Sequence, residues 1–268
     1  MGLYWDYDER FQEGTIVQRY WIVGLILALL LTACNTTTET TPEPAPDAVE
    51  LLAAVVENVR ELQSFNMLIE QRGAEYPFSI SLDEGVTQIT AVMRRGEVQY
   101  VSPDEMYANI TLRVGGLPPI GLEVFLQGAE QWFKLVGSGW INFPLAEGFD
   151  PGQLIQTDSG IPRALTDLDS IEYISEESLS NGTPVHHVRG IASGNLISDL
   201  LFGLLTIEQD NISVDVFIDK DNNVPLLLTM TLPDTATEDE NADTQWRLEF
   251  FDFDAEAGFD RPAEAVRE

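Results

Sequence analysis

The chain is short of cysteine, of histidine and of basic side chains, and each shortage excludes something. It has one cysteine, two histidines, and 14 Lys and Arg against 45 Asp and Glu in 268 residues, for a net charge of −31. A lone cysteine cannot close an intramolecular disulfide, so the fold must be held by its core. The scarcity of bases excludes nucleic-acid binding, which needs Lys/Arg patches to release counterions. It also opposes adhesion of the body as a whole to anionic lipid. The two histidines, His186 and His187, are adjacent. On a strand they point to opposite faces and cannot chelate one ion together. There is no Gly-rich phosphate loop and no G-x-S-x-G nucleophile turn. Asp219-Lys220-Asp221-Asn222-Asn223 opens like a calcium loop, but Val224 stands where Gly is needed and Met230 where Glu is needed. It reads as a hairpin turn. So many carboxylates guarantee chance pairs, and no glycosidase-type pair can be singled out. No catalytic residue, metal site or cofactor is expected.

The longest apolar run, Trp21–Leu31, is also short. A bilayer span needs about 20 apolar residues. This run has the length of a signal-peptide core instead, preceded by Arg19. It closes on Leu31-Thr32-Ala33-Cys34, which resembles the bacterial lipobox, in which the thiol receives a diacylglycerol and the chain is cut just before the cysteine. Residues 1–33 are then a lipoprotein signal peptide, and Cys34 carries the membrane anchor. Residues 1–18 are acidic where a leader should be basic. Translation starting near Val17 would remove them. Residues 34–46, rich in Thr, Pro and Glu, bury nothing and read as a flexible tether. Residues 47–268 are long enough for one domain with a substantial core.

The domain opens as a helix. Asp47 can cap, Glu50 follows three residues on, and Leu51, Val55, Val59 and Leu62 recur at helical spacing. After Gln63 the period becomes two. Phe65, Met67 and Ile69 alternate with polar residues, as do Tyr76 to Leu82, Met106 to Val114, Ile120 to Leu126, Ile212 to Ile218 and Leu226 to Leu232. Further strands fit near 86–93, 97–102, 131–136, 171–178, 183–191 and 245–253, separated by turns such as Arg95-Gly96 and Asn181-Gly182. The pattern predicts an α+β fold, a strongly bent antiparallel meander of about 10–12 strands, since so long a sheet must curl and cover its apolar face. Helical stretches are expected near 150–156, 161–168 and 195–205, the last apolar on nearly every side.

In order and spacing, several segments resemble the LppX/LprA/LprF/LprG family of bacterial lipoproteins. They are the lipobox at Leu31–Cys34, the helix ending in Gln63-Ser64-Phe65-Asn66-Met67, and Trp140 followed by Asp150-Pro151. The strand at Gly182–Gly190, Val214–Asp221 running into Val224-Pro225-Leu226, and the closing Phe251-Asp252-Phe253 complete the set. The resemblance implies a half-barrel akin to the LolA/LolB carriers, with helices over a concave apolar face. It further implies a cavity for an acylated lipid or glycolipid, carried as cargo within the cell envelope.

On that reading the candidate cavity residues are Met67, Ile69, Ile80, Ile110, Leu112, Leu122, Val124 and Leu126 from the first strands. Ile197, Leu200, Leu201 and Leu204 come from the apolar helix, and Val214, Val216, Leu228 and Met230 from the later strands. Met93 and Met106 join them as adaptable thioethers. The expected partners are the lipid, the membrane through Cys34, and an envelope transporter or acceptor protein, with the chain itself a monomer anchored on the extracytoplasmic face. A second reading keeps the fold but makes it an envelope sensor or protein-interaction module without cargo. A hollow above about 300 Å³ favours the carrier, and a filled core favours the module.

Overall fold

Asp47 starts the first helix, α1 (Ala48–Glu61), its carboxylate accepting from the backbone N–H groups of Val49 and Glu50 at 2.8 and 3.2 Å. The computed structural model describes residues 45–82, 87–135, 137–142, 149–203, 205–263 and 265. Residues 1–44, which include the expected signal peptide, Cys34 and most of the expected tether, lie outside them. Residues from Ala45 on form one compact unit.

Twelve strands follow: β1 (Ser64–Arg72), β2 (Pro77–Leu82), β3 (Thr87–Val101), β4 (Glu105–Val114), β5 (Ile120–Gln127), β6 (Glu130–Leu135), β7 (Ile141–Asn142), β8 (Asp169–Ser178), β9 (Pro184–Ala192), β10 (Ile212–Asp219), β11 (Pro225–Thr231) and β12 (Gln245–Phe251). Between β7 and β8 come a short 3-10 helix (Pro151–Leu154) and α2 (Gly160–Thr166), and between β9 and β10 comes α3 (Gly194–Leu200).

The strands make one curved, unclosed, antiparallel sheet in the order β7-β6-β5-β4-β3-β1-β12-β11-β10-β9-β8, with β2 paired to the outer end of β3. The fold is thus two meanders, β3–β7 and β8–β12, joined through β1, rather than one continuous meander. Pairing of β1 with both β3 and β12 places Phe65, Met67 and Ile69 at the middle of the inner face, where all three are buried. The period-two reading is plainest on β10, where Ile212, Val214, Val216 and Ile218 are all buried and their neighbours are not. Each such side chain contributes about 1.5–3 kcal/mol by leaving water. The three helices share a single apolar core with this face, through Val55 and Val59 of α1, Ile161 and Leu165 of α2, and Ile197 and Leu200 of α3.

Two local expectations change. Arg95-Gly96 is not a turn: β3 runs unbroken past it, and a bulge at Arg94 shifts the register against β4 between Met93 and Arg95. The extra residue bends the strand without ending it. The helix expected over 195–205 stops at Leu200. Phe202 and Gly203 take left-handed conformations (φ 61° and 65°), and their N–H groups return to the carbonyls of Asp199 and Ser198. This pairing is a Schellman ending, with a phenylalanine where glycine is usual. Leu200, Leu201, Phe202 and Leu205 are all buried, so these residues belong to the core and turn no apolar side chain to the outside.

Candidate functional site

The sheet's inner face is not packed evenly. Helices fill it over β8–β12, but over β1–β6 an apolar hollow remains. Even-numbered residues of β4 (Met106, Ala108, Ile110, Leu112) and β5 (Leu122, Val124, Leu126) form its floor, with Ile69 of β1, Phe78 of β2, and Met93, Gly96 and Val98 of β3 on one side. Gln131 and Phe133 of β6 stand on the other, and Phe149 and Phe202 complete the wall. Apart from Gln131 the side chains are hydrocarbon, thioether or aromatic. Phe149 and Phe202 meet edge to face, ring centroids 5.3 Å apart and planes at 71°.

The free space where a water-sized body fits is about 50 Å³, inside a concavity of about 690 Å³ that counts every gap and the open mouth. A long acyl chain needs more, so Phe149, Phe202 and the methionines must yield to admit one.

Of the candidate residues, Ile69, Ile110, Leu112, Leu122, Val124 and Leu126 line this hollow. Met67, Ile197, Leu200, Leu201, Val214, Val216, Leu228 and Met230 are buried in the core but do not face it. Ile80 lies on β2 opposite Ile89. Leu204 and Cys34 lie outside the described residues. The candidates had missed Phe78, Gly96, Val98, Ala108, Gln131, Phe133, Phe149 and Phe202. Ala108 and Phe133 share the face of their strands' other lining residues, and that parity would have found them. Phe149 and Phe202 come from non-periodic segments, and nothing local marks them.

Two further clefts are larger but polar. One, about 770 Å³, lies between α1 and the 3-10 helix, with Glu57, Arg60, Glu61 and Asp158 in its wall. The other, about 350 Å³, lies on the outer face, where the C-terminal segment crosses β4–β6. There Phe259 stacks on Tyr107 at 5.5 Å, and the Tyr107 hydroxyl donates to Glu123 at 3.1 Å. Burial first, then the Glu123 charge, push the Tyr107 phenol up to about 12. Neither cleft offers an acyl chain apolar walls.

The histidines occupy opposite faces of β9. The His187 ring nitrogens lie 2.8 Å from Glu177 and 2.7 Å from Asp215, and the ring stacks on Phe217 at 4.4 Å. His186 Nδ1 is 3.2 Å from the Tyr173 hydroxyl. Among the described residues no group of three or more His, Cys, Asp or Glu is placed to hold a metal ion, and no helix is long and apolar enough to cross a membrane. The Asp219–Asn223 segment is a hairpin turn, in which Asp219 accepts from the N–H groups of Asp221 and Asn222.

No curated protein matches the sequence. Among solved structures, LprF from Mycobacterium bovis is similar over 82% of this chain and 99% of its own, with a TM-score of 0.58 at 14% identity. The lipoprotein LppX from Mycobacterium tuberculosis is similar over 80% of this chain and 98% of its own, with a TM-score of 0.51 at 13% identity. These likenesses concern the fold. Residues 47–257 match the sequence pattern of the LppX_LprAFG lipoproteins. The chain, with its two meanders, its three covering helices and its apolar hollow, therefore belongs to the LppX_LprAFG lipoprotein family.

Proposed function

We propose that this protein is a lipid carrier of the cell envelope, tethered through an acylated Cys34 and residues 34–46, which takes the acyl chains of a lipid or glycolipid into the hollow over β1–β6. The observation that carries this reading is the make-up of that hollow: a wall of aliphatic, thioether and aromatic side chains, interrupted by one amide. Such a wall suits methylenes and little else. Burying a chain of about sixteen carbons yields roughly 12 kcal/mol before ordering costs, with no directional contact required. Met93 and Met106 can conform to chains of different shape. Release would go to an acceptor protein or an opposing leaflet, within reach of the tether.

The narrowness of the hollow favours the second reading, a sensor or interaction module whose core stays closed. The two readings separate by composition. Purified protein is extracted with organic solvent and the extract analysed by mass spectrometry, alongside the intact mass of the N-terminal peptide. Stoichiometric acyl lipid beyond that borne on Cys34 supports the carrier. An extract without it, repeated after incubation with native membrane lipid, leaves the module.

A further inference from the structure

The apolar wall of the hollow continues into solvent. On β6, Gln131 and Phe133 line the hollow, and Leu135 follows on the same face. Leu135 pairs with Leu122 and Ile141 pairs with Phe133, so both share the face of the lining. Yet Leu135 is 50% exposed and Ile141 60% exposed. Leu117, in the turn that joins β4 to β5 at this same end, is 58% exposed. Half of the six exposed large hydrophobics among the described residues therefore gather at one end of one half-sheet. Scattered singly they would mean little; gathered, and continuous with a hollow, they mark a contact surface.

The charge of this end is as unusual as its polarity. Residues 112–122 and 131–142 contain no Asp or Glu, in a chain with 45 of them, and they carry Arg113 and Lys134. Arg113 pairs with Glu75 from the β1–β2 connection. Lys134 pairs with Glu123, and its ammonium sits 5.5 Å from the centre of the Trp140 ring. Lys134 and Trp140 stand on the outer face, in the cleft with Glu123, while Leu135 and Ile141 stand on the inner face. This end thus carries a tryptophan and a long basic side chain behind its exposed aliphatics, as at a membrane interface.

We propose that this end docks on a lipid bilayer, with Leu117, Leu135 and Ile141 in the acyl region and Trp140, Lys134 and Arg113 at headgroup depth. The rest of the molecule is strongly anionic and is held off an anionic leaflet, which leaves this end as the one that approaches. A lipid chain then passes along Leu135 and Leu122 into the hollow without crossing water. The inference rests on the lipid-carrier reading, and it assigns the side from which cargo is taken.

The test uses the full chain in vesicles of phosphatidylcholine with brominated acyl chains, which quench nearby tryptophan. The difference between wild type and Trp140→Phe isolates the Trp140 signal. That signal is expected to be quenched in the otherwise wild-type protein and unquenched in Leu135→Glu/Ile141→Glu. The same double variant is expected to draw a fluorescent-acyl phosphatidylcholine from vesicles at least about tenfold more slowly, while taking up a monomeric fluorescent fatty acid from water normally. Leu117→Glu, outside the strand ladder, is expected to slow vesicle transfer as well. Unquenched Trp140 in wild type, or equal vesicle transfer in all variants, overturns the docking. A wild-type protein that takes up neither probe overturns the carrier reading, and the quenching measurement still decides the docking.

Discussion

Phe202 stands edge-on to Phe149 with ring centroids 5.3 Å apart, and it does so from a left-handed backbone position, φ 61°. That conformation costs a non-glycine residue about 1–2 kcal/mol. The ring it places completes the wall of the hollow. The left-handed position belongs to the ending of α3, so the turn that stops the helix also sets this ring against the hollow.

Phe202→Gly and Phe202→Ala both remove this ring from the wall of the hollow, and both are expected to speed uptake of a fluorescent fatty acid several-fold. Their stabilities should fall in an unusual order. Alanine keeps the left-handed strain and glycine relieves it, so Phe202→Gly should be the more stable of the two by about 1 kcal/mol in urea unfolding. Alanine at least as stable as glycine would show that the turn carries no strain.

Trp246, the second residue of β12, is fully buried, and its indole N–H has no partner among the described residues. An orphan buried donor costs about 1–3 kcal/mol, while truncating a buried tryptophan to alanine usually costs 3–5 kcal/mol. Trp246→Phe removes the orphan and keeps most of the ring. It is expected to change stability by no more than about 1 kcal/mol, against several for Trp246→Ala. A large loss in Trp246→Phe would mean that the N–H is satisfied.

Burial first, then the nearby Lys220 ammonium, hold the His186 pKa below its ordinary 6.5, with Glu176 opposing. The sign follows. Above about pH 6.5 the imidazole is neutral both folded and unfolded, and its contribution is complete. As pH falls below that value the unfolded chain takes the proton first, and stability is lost. Thermal midpoints of wild type should therefore decline more steeply than those of His186→Gln as pH falls below about 6.5. Parallel curves would place the acid sensitivity elsewhere.

Much of the architecture was legible because it rests on periodicity. The switch from helical spacing in α1 to alternation from Phe65 onward, and the clean alternation of β10, follow from which face each residue turns to the core. The site was less legible. Ile110 and Val216 look alike in sequence, both apolar residues on alternating strands. One lines the hollow and the other lies in the core away from it. What separates them is where the helices sit, a tertiary fact without a local signature. The same holds for Phe149 and Phe202, which meet across more than fifty residues of chain. Arg95-Gly96 misled for the opposite reason: a glycine that looks like a turn lies within β3, next to a bulge.

That glycine offers a direct test of whether the hollow takes an acyl chain. Gly96 lines the hollow, and a β-carbon there would meet Ile69, Ile110 and Met93 at 3.8–3.9 Å, ordinary contact distances. Gly96→Ala should therefore be tolerated, with a gain of about 0.4–1 kcal/mol. Gly96→Leu should fill the space that an acyl chain needs. Delipidated wild type, Gly96→Ala and Gly96→Leu are titrated with a fluorescent-acyl lipid. Saturable, stoichiometric loading of wild type and Gly96→Ala is expected, and none of a folded Gly96→Leu. Equal loading of all three would place the lipid outside this hollow.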